Sequence, residues 1–173
     1  MNQATEVILS NYKLGESVTH ELHNNLVIAD ALLVQANVVG QQELYILGGA
    51  ALALQGLTQR VTLDVDTANK LSKKVKEIIG MFVDDAASKV AVLPSYYQRR
   101  CIHYDASFQV LDVYLLHPID LCLNKLASGR RKDIADVRHL IDTGVVTKKE
   151  LIDVAVAEIP PSIFMKFKAF FKN

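Results

Sequence analysis

The 173-residue sequence is poor in cysteine, in net charge and in long apolar runs. Its two cysteines, Cys101 and Cys122, form no CxxC pair and stand in apolar surroundings, which argues against a disulfide framework and predicts reduced thiols in the core. Lysine plus arginine equals aspartate plus glutamate at 19 each, so the net charge gives no indication of a nucleic-acid partner. No apolar run approaches the ~20 residues of a membrane-spanning helix, and the N-terminus lacks a signal-peptide pattern. These absences predict a cytoplasmic protein with no membrane contact.

Repeats and low-complexity segments are also missing, and the composition is that of an ordinary globular protein. The length suits a single domain over residues 1–173. Short apolar runs and turns fill the first two thirds, and helical patterns follow them. The sequence therefore predicts an α/β (α+β) fold, with a small mixed-sheet core over residues 41–116 and a helical part over residues 117–173. The boundary near His117 is soft.

The first part of the chain predicts alternating helices and strands. HELHNNLVIADALLVQANVVG has apolar residues at spacings of three and four, which indicates an amphipathic helix ending near Gly40. ELYIL reads as a buried strand, followed by the turn Gly48-Gly49 and a short helix AALALQG. LSKKVKEIIGMFVDDAASKV is predicted to be one helix, with Phe82 among its inward residues. RRCIHY and FQVLDVYLL are predicted to form a hairpin.

Helices dominate the rest of the chain. PIDLCLNKLASG has Pro118 in its first turn, RRKDIADVRHLIDTG is closed by Gly144, and TKKELIDVAVAEI opens with the capping-box pattern Thr147 to Glu150. PSIFMKFKAFFKN would be a final aromatic and basic helix. SYYQRR, upstream of the hairpin, interleaves aromatic and basic residues. It either binds nucleic acid or forms an ordinary packed turn, and the turn is the favoured interpretation.

RVTLDVD is the most informative segment because it alternates strictly. Val61, Leu63 and Val65 share one face, while Asp64 and Asp66 project together from the other. Two neighbouring carboxylates are costly to bury without a cation between them. Mg²⁺ takes oxygen ligands and keeps positions for water and phosphate, so it would remove that cost.

Asp112 is a third candidate because it interrupts an otherwise apolar strand that could lie beside RVTLDVD. Three carboxylates from adjacent strands would hold two divalent ions ~4 Å apart, as in phosphoryl transfer. Gly48 and Gly49 would let backbone N–H groups approach phosphate at the start of a helix. Each feature has an ordinary alternative: a solvated strand face for the aspartate pair, a simple turn for the glycines, and a strand-end carboxylate for Asp112. Their order along one chain favours a metal-nucleotide site.

Taken in this order, GGAALALQG, RVTLDVD and VLDVYLL resemble the nucleotidyltransferase superfamily to which DNA polymerase beta belongs. IDLCLNKLASGRRKDIADV more narrowly resembles the AbiEii-type and related bacterial toxin-like domains. The resemblance runs from about Tyr45 to about Ile141. It implies a transferase with a two-metal site for Mg²⁺ or Mn²⁺ and an NTP as substrate.

The resemblance also implies roles for individual residues. Gly48 and Gly49 would meet the triphosphate, Asp64 and Asp66 would bind the metals, and Asp112 would help to activate the acceptor hydroxyl. Lys125 matches a lysine near the phosphates, although a helical lysine is otherwise read as solvent-facing. The remaining matched positions are Asp133, an acidic position, and Arg60 and Thr62, which order the strand or touch the nucleotide.

One position departs from the family pattern, because Ala50 replaces the usual Ser or Thr after the two glycines. Three hypotheses therefore stay open. The first is an enzyme that transfers a nucleoside monophosphate to RNA, including tRNA, or to a protein, as the toxin of a toxin–antitoxin pair with a cognate antitoxin. The second is a catalytically weak or inactive domain that binds nucleotide or protein. The third is a structural interaction protein in which the aspartates form an ordinary polar strand face.

Overall fold

The structure, a computed structural model, describes residues 3–58, 60, 62 and 64–172, with side chains from residue 17 onwards. These residues divide into two compact units. The first takes in the chain up to Lys89 together with His103–Leu115, and the second takes in Val90–Ile102 together with the chain from Leu116 onwards. The chain therefore passes between the units three times.

The first unit is built on a small mixed sheet. β1 (Gln42–Ile46) and β5 (Leu111–Leu115) are parallel neighbours, and β4 (Ile102–His103), whose first residue is grouped with the second unit, lies beside β5. β2 (Val65–Asp66) and β3 (Val83–Asp84) form a second parallel pair, joined to β1 by an antiparallel bridge between Thr67 and Ile46. The α+β class, the strand β1 and the pairing of β4 with β5 are as the sequence predicts.

Three helices belong to this unit: α1 (Gln3–Gln35), α2 (Gly48–Leu54) and α3 (Lys73–Ile79). The predicted inward residues of α1 form the centre of the core, where Leu22, Leu26 and Leu33 have no exposed surface. α1 begins well before the predicted segment and ends at Gln35, before Asn37 takes a positive φ of 50°. α1 packs against both α2 and α3. The 33-residue helix thus supports α2 and α3.

Two predicted elements differ from the structure. Among the described residues of RVTLDVD, Val65–Asp66 form strand, and the predicted inward residues Val61 and Leu63 lie outside the described residues. The single helix predicted over residues 71–90 is wrong, because α3 ends at Ile79 and the chain then forms β3. The physical reason is Val83, which is 1% exposed and pairs with Val65 in the sheet. Burial in a strand here outweighs continuation of the helical pattern.

The second unit contains α4 (Pro118–Ser128), α5 (Arg131–Asp142), α6 (Lys148–Glu158) and α7 (Pro161–Phe167), with a 3₁₀ turn at Lys168–Lys172. Pro118 occupies the first turn of α4, and Thr147 and Glu150 form the predicted capping box of α6. Within the described chain, no helix combines the length and apolarity needed to cross a bilayer.

Candidate functional site

The double-glycine turn joins β1 directly to α2. Leu47 is still extended, with φ −124° and ψ −172°, and Gly48 then takes a φ of +70° as the first residue of the helix. Side-chain-bearing residues rarely adopt that conformation, so the reversal requires glycine. No side chain among the described residues caps this end of α2. The sharp turn therefore leaves the backbone at Gly48 and Gly49 open to close approach by a neighbouring side chain or a ligand.

Gly48 and Gly49 face Asp66 and Thr62. A Cβ placed on Gly48 would lie 3.5 Å from Asp66 Oδ2, and one placed on Gly49 would lie 3.1 Å from Thr62 Cγ2. The second of these contacts is tighter than ordinary van der Waals packing, so Gly49 is needed for the approach. The backbone N–H of Leu47 also donates to Asp66 O at 3.0 Å. Thr62 and Asp66, two of the predicted site residues, thus lie next to the double-glycine turn that is predicted to bind phosphate.

Asn69 fixes the aspartate segment to β1, and sequence reasoning missed it. Its Oδ1 accepts from Tyr45 N at 2.9 Å, and its Nδ2 donates to Glu43 O at 2.7 Å. Thr67 Oγ1 donates to the same Oδ1, and Ala68 N donates to Tyr45 O at 2.8 Å. An asparagine after a strand usually indicates only a turn. Here its amide continues the hydrogen bonding of β1 beyond the short strand β2.

The described part of RVTLDVD retains the predicted alternation at its end. Val65 is 2% exposed, whereas Asp64 is exposed and Asp66 is half-buried. Both carboxylates therefore lie away from the core, and both supply hard oxygen ligands of the type that Mg²⁺ prefers. Arg60 is exposed in the turn before them, where its N–H donates to Thr58 Oγ1 at 3.1 Å.

Asp112 lies in a different set of contacts. Its Oδ1 is 2.9 Å from His103 Nε2, and its Oδ2 accepts from the Tyr114 hydroxyl at 2.8 Å. In the sheet Asp112 is the partner of Glu43, at the start of β1. Tyr114 stacks on Tyr45, with ring centroids 5.1 Å apart. Asp112 thus belongs to a polar and aromatic cluster on the β1–β5 pair.

The sheet register separates Asp112 from Asp66 along β1. Asp66 is bonded to Leu47, while Asp112 pairs with Glu43, four residues earlier. At ~3.3 Å per residue this is about 13 Å along the strand, far more than one ion can bridge. Among the described residues there is no group of three His, Cys, Asp or Glu side chains that could hold a metal ion. The structure therefore does not bring the three predicted carboxylates together.

Lys125 and Asp133 meet in the second unit. Lys125 Nζ lies 3.2 Å from Asp133 Oδ1 and 2.7 Å from Asp136 Oδ2, and its side chain is only 6% exposed. The solvent-facing interpretation of this lysine is therefore wrong. Ser128 and Arg130 also donate to Asp133, at 2.6 Å and 2.5 Å. A nucleotide-binding role for Lys125 and Asp133 stays a prediction from the resemblance.

The environment of Asp133 stabilises its ionised form. Burial alone would raise the pKa of this carboxyl, but hydrogen bonds from Ser128 and Arg130, with the charge of Lys125, outweigh burial and lower the pKa. The cluster therefore places Lys125 Nζ between Asp136 and an Asp133 carboxyl whose ionised form is favoured. Removing one partner of a buried ion pair of this kind strongly destabilises the protein.

Arg100 forms the second buried network of this unit, which the sequence did not reveal. Its guanidinium binds Asp120 at 2.7 Å and Glu158 at 2.6 Å, and Asp120 has no exposed surface. The hydrogen bond from Arg100 lowers the pKa of Glu158, whereas burial raises the pKa of Asp120 against the opposing effect of Arg100. Arg99, by contrast, stacks 4.7 Å over the ring of Tyr96. SYYQRR is thus an ordered segment in which one arginine is internal.

The mixed sheet, the double-glycine turn and the adjoining aspartate strand are the features by which the sequence resembles a nucleotidyltransferase. Residues 24–156 match the family described as a nucleotidyltransferase of unknown function (DUF6036). The match spans well over half of the chain, so the chain belongs to this family, and the resemblance to the nucleotidyltransferase superfamily is confirmed. The family implies a nucleotide as substrate. No curated protein and no solved structure matches the chain.

Proposed function

We propose that this protein is a metal-dependent nucleotidyltransferase that transfers a nucleoside monophosphate from an NTP to an acceptor hydroxyl, with release of pyrophosphate. The observation that supports it best is the placement of Asp66 against Gly48, where Oδ2 lies 3.5 Å from the position of an added Cβ. A carboxylate beside a glycine turn puts a cation ligand next to backbone that phosphate can approach. Membership of the nucleotidyltransferase family agrees with this chemistry.

The residues present suit one divalent cation in the first unit. Mg²⁺ is commonly bound through one or two carboxylates together with substrate phosphates, and Asp64 and Asp66 supply two carboxylates. Mn²⁺ accepts the same oxygen ligands. When bound, the ion would supply Lewis-acid neutralisation of phosphate charge. A second ion held by Asp112 is not part of the proposal, because Asp112 pairs with Glu43 instead.

The chain's own contribution is positioning. Gly48 and Gly49 leave room for phosphate oxygens at the turn, and the bond from Leu47 to Asp66 keeps the carboxylate beside them. Thr62 packs against Gly49 and would set the depth of the phosphate position. An RNA such as tRNA, or a protein, would accept the nucleotide. These acceptors, and a cognate antitoxin, rest on the resemblance alone.

Label transfer tests the proposal. Purified protein is incubated with each of the four α-³²P-labelled NTPs, total RNA and cell lysate, with Mg²⁺ or Mn²⁺ or with EDTA. We expect labelled product with the divalent ions, and at least a hundredfold loss in Asp64→Asn and Asp66→Asn, since phosphoryl transfer depends on electrostatic stabilisation. Asp105→Asn, an exposed aspartate of the same unit, is the matched control. A wild-type protein that labels nothing would contradict the proposal.

The Asp112→Asn variant distinguishes the three-carboxylate site predicted from the sequence from the proposed site, which uses only Asp64 and Asp66. The three-carboxylate prediction expects the same loss as in Asp66→Asn. We expect near wild-type transfer instead, because Asp112 is engaged with His103 and Tyr114 about four residues away along the sheet. Loss of transfer with an unchanged unfolding temperature would show that Asp112 acts at the reacting phosphate after all.

The second candidate is a domain that binds nucleotide without turnover. Ala50 favours it, because the residue is fully buried and offers no hydroxyl where the family pattern has Ser or Thr. This version predicts that an NTP with Mg²⁺ raises the unfolding temperature and that no labelled product forms. The stabilisation should disappear in Asp66→Asn. If neither nucleotide nor metal binds in calorimetry, the aspartates form only a polar strand face.

A further inference from the structure

A lysine-rich cavity lies in the first unit, apart from the glycine turn. It has a volume of about 640 Å³ and is bordered by the segment before α3, by α3 itself and by the turn after β3. Four of its seven lining residues are lysines: Lys70, Lys73, Lys76 and Lys89. The chain as a whole carries no net charge, so this cavity is a local concentration of positive charge.

The one acidic residue that lines the cavity, Asp85, already has bonding partners. Asp85 is 3% exposed, forms an ion pair with Lys76 and accepts from Leu71 N at 3.2 Å. Its neighbour Asp84, on β3, accepts from Ala86 N at 2.9 Å. Asp85 therefore neutralises Lys76 and holds it at the wall. The charge of Lys89 also acts on this carboxylate, but a single carboxylate does not balance four lysines.

The other three lysines keep their ammonium groups available. Among the described residues, Lys70 and Lys89 make no ion pair or side-chain hydrogen bond, and Lys73 lies 3.8 Å from Glu77 in an exposed pair. An exposed pair at that distance contributes little. Like charges around one cavity repel one another, and that repulsion is relieved when an anion binds between them.

The lining indicates what kind of anion fits. Leu71 is the only apolar lining residue and there is no aromatic ring, so the cavity has no surface on which a base would stack. The Ser72 hydroxyl accepts from Val75 N at 3.3 Å and retains its own O–H for donation. Ammonium groups and a hydroxyl are donors suited to phosphate oxygens.

We propose that this cavity binds an anion carrying two or more phosphate groups, held by Lys70, Lys73 and Lys89. A small polyphosphate compound and the backbone of a single-stranded nucleic acid share this chemistry. The cavity volume lies within the range of small-molecule sites. None of these lysines belongs to the proposed transfer site, so the proposal stands or falls independently of it.

Calorimetric titration with EDTA present tests the cavity, using sodium tripolyphosphate and a short single-stranded RNA as separate probes. Without divalent ions, binding at the aspartates is suppressed, so failure here and failure of the transferase proposal are distinct. We expect at least one probe to bind, and the double variant Lys70→Gln/Lys89→Gln to weaken it about tenfold, as two phosphate contacts are lost. For RNA the salt dependence should also become shallower.

The matched control is Lys74→Gln/Lys166→Gln. Lys74 is exposed on α3 without lining the cavity, and Lys166 is exposed on α7. The control should bind within about twofold of the wild type, since the effect is local to the cavity. Tripolyphosphate binding alone would assign a small ligand, and RNA binding with the altered salt dependence would assign a nucleic acid. Absence of binding to both probes, or equal weakening in both double variants, would overturn the proposal.

Discussion

At the residue scale, Asp30 is the clearest example of a buried carboxylate with a structural role. Its carboxylate accepts hydrogen bonds from three successive backbone N–H groups at the start of β5. The donors are Gln109, Val110 and Leu111, at 2.9, 2.8 and 2.7 Å. Asp30 is 6% exposed and lies on α1 between core residues. One charged side chain thus joins the main helix to the strand that carries Asp112.

Replacing Asp30 with alanine should destabilise the protein severely. Three N–H groups would lose their acceptor, of which the bond to Leu111 is buried and the other two are partly buried. Hydrogen bonds to charged groups contribute roughly 1.5 to 3 kcal/mol each when buried, so we expect a loss of about 3 kcal/mol or more. Asp30→Asn keeps part of the acceptor capacity and should lose less. Urea unfolding followed by circular dichroism measures both. Glu21→Ala, an exposed position on α1, is the control; an equal effect at both positions would refute this role.

The burial of three carboxylates was not predictable from the sequence. Asp30, Asp120 and Asp133 are each 6% exposed or less, yet in the sequence they resemble polar positions on a helix surface. Their partners lie as far as 81 residues away along the chain, as between Asp30 and Leu111. A periodicity reports which face of a helix is apolar, but it carries no information about a distant donor.

At the scale of elements, two glycines with the same backbone conformation allow an effect on stability to be distinguished from an effect on nucleotide binding or transfer. Gly48 and Gly56 have φ values of +70° and +69°, but only Gly48 has a side-chain atom, Asp66 Oδ2, near its added Cβ. Alanine at either position should cost about 1 kcal/mol of stability, because a side chain disfavours positive φ. Only Gly48→Ala should also weaken nucleotide binding or transfer. Thermal unfolding and the label assay together test this, and equal transfer in both variants would contradict the proposed phosphate turn.

Elements with a strong local signal were predicted correctly. β1 and α2 follow from an apolar run ended by Gly48-Gly49, and α6 follows from the Thr147–Glu150 capping box, which the structure contains. β3 was missed because its two residues lie inside an amphipathic pattern and pair with Val65–Asp66. The glycine turn between β1 and α2 was therefore predictable from sequence, whereas the position of Asp112 depended on a sheet register that no local pattern encodes.

At the scale of the whole molecule, the two units are interleaved along the chain. Val90–Ile102 groups with the C-terminal helices, although it lies between two strands of the sheet unit in sequence. The contacts of this segment explain its grouping: Arg100 binds Asp120 and Glu158, and Ser95 N donates to Glu158 O at 3.3 Å. The second unit is thus assembled from two separate stretches of chain.

The charge network of the second unit predicts how stability depends on pH. The hydrogen bond from Arg100 holds the pKa of Glu158 below its ordinary value, so ionised Glu158 stabilises the folded state above the unfolded pKa of about 4.5. That contribution is lost as the pH falls through the lower folded pKa. Glu158→Gln should be less stable at pH 7 and should lose less stability than the wild type on acidification. Urea unfolding at neutral and acidic pH measures the difference; parallel curves for both proteins would contradict it.

The internal placement of Arg100 also determines how the protein can be dissected. A fragment that stops near His117 would retain the guanidinium but discard both of its acid partners, while a fragment that starts there would retain two carboxylates without their counter-ion. Either truncation leaves an uncompensated charge in a formerly enclosed position. Expression of the helical half on its own therefore requires residues 90–102 to be spliced ahead of it, through a linker or a permuted chain order.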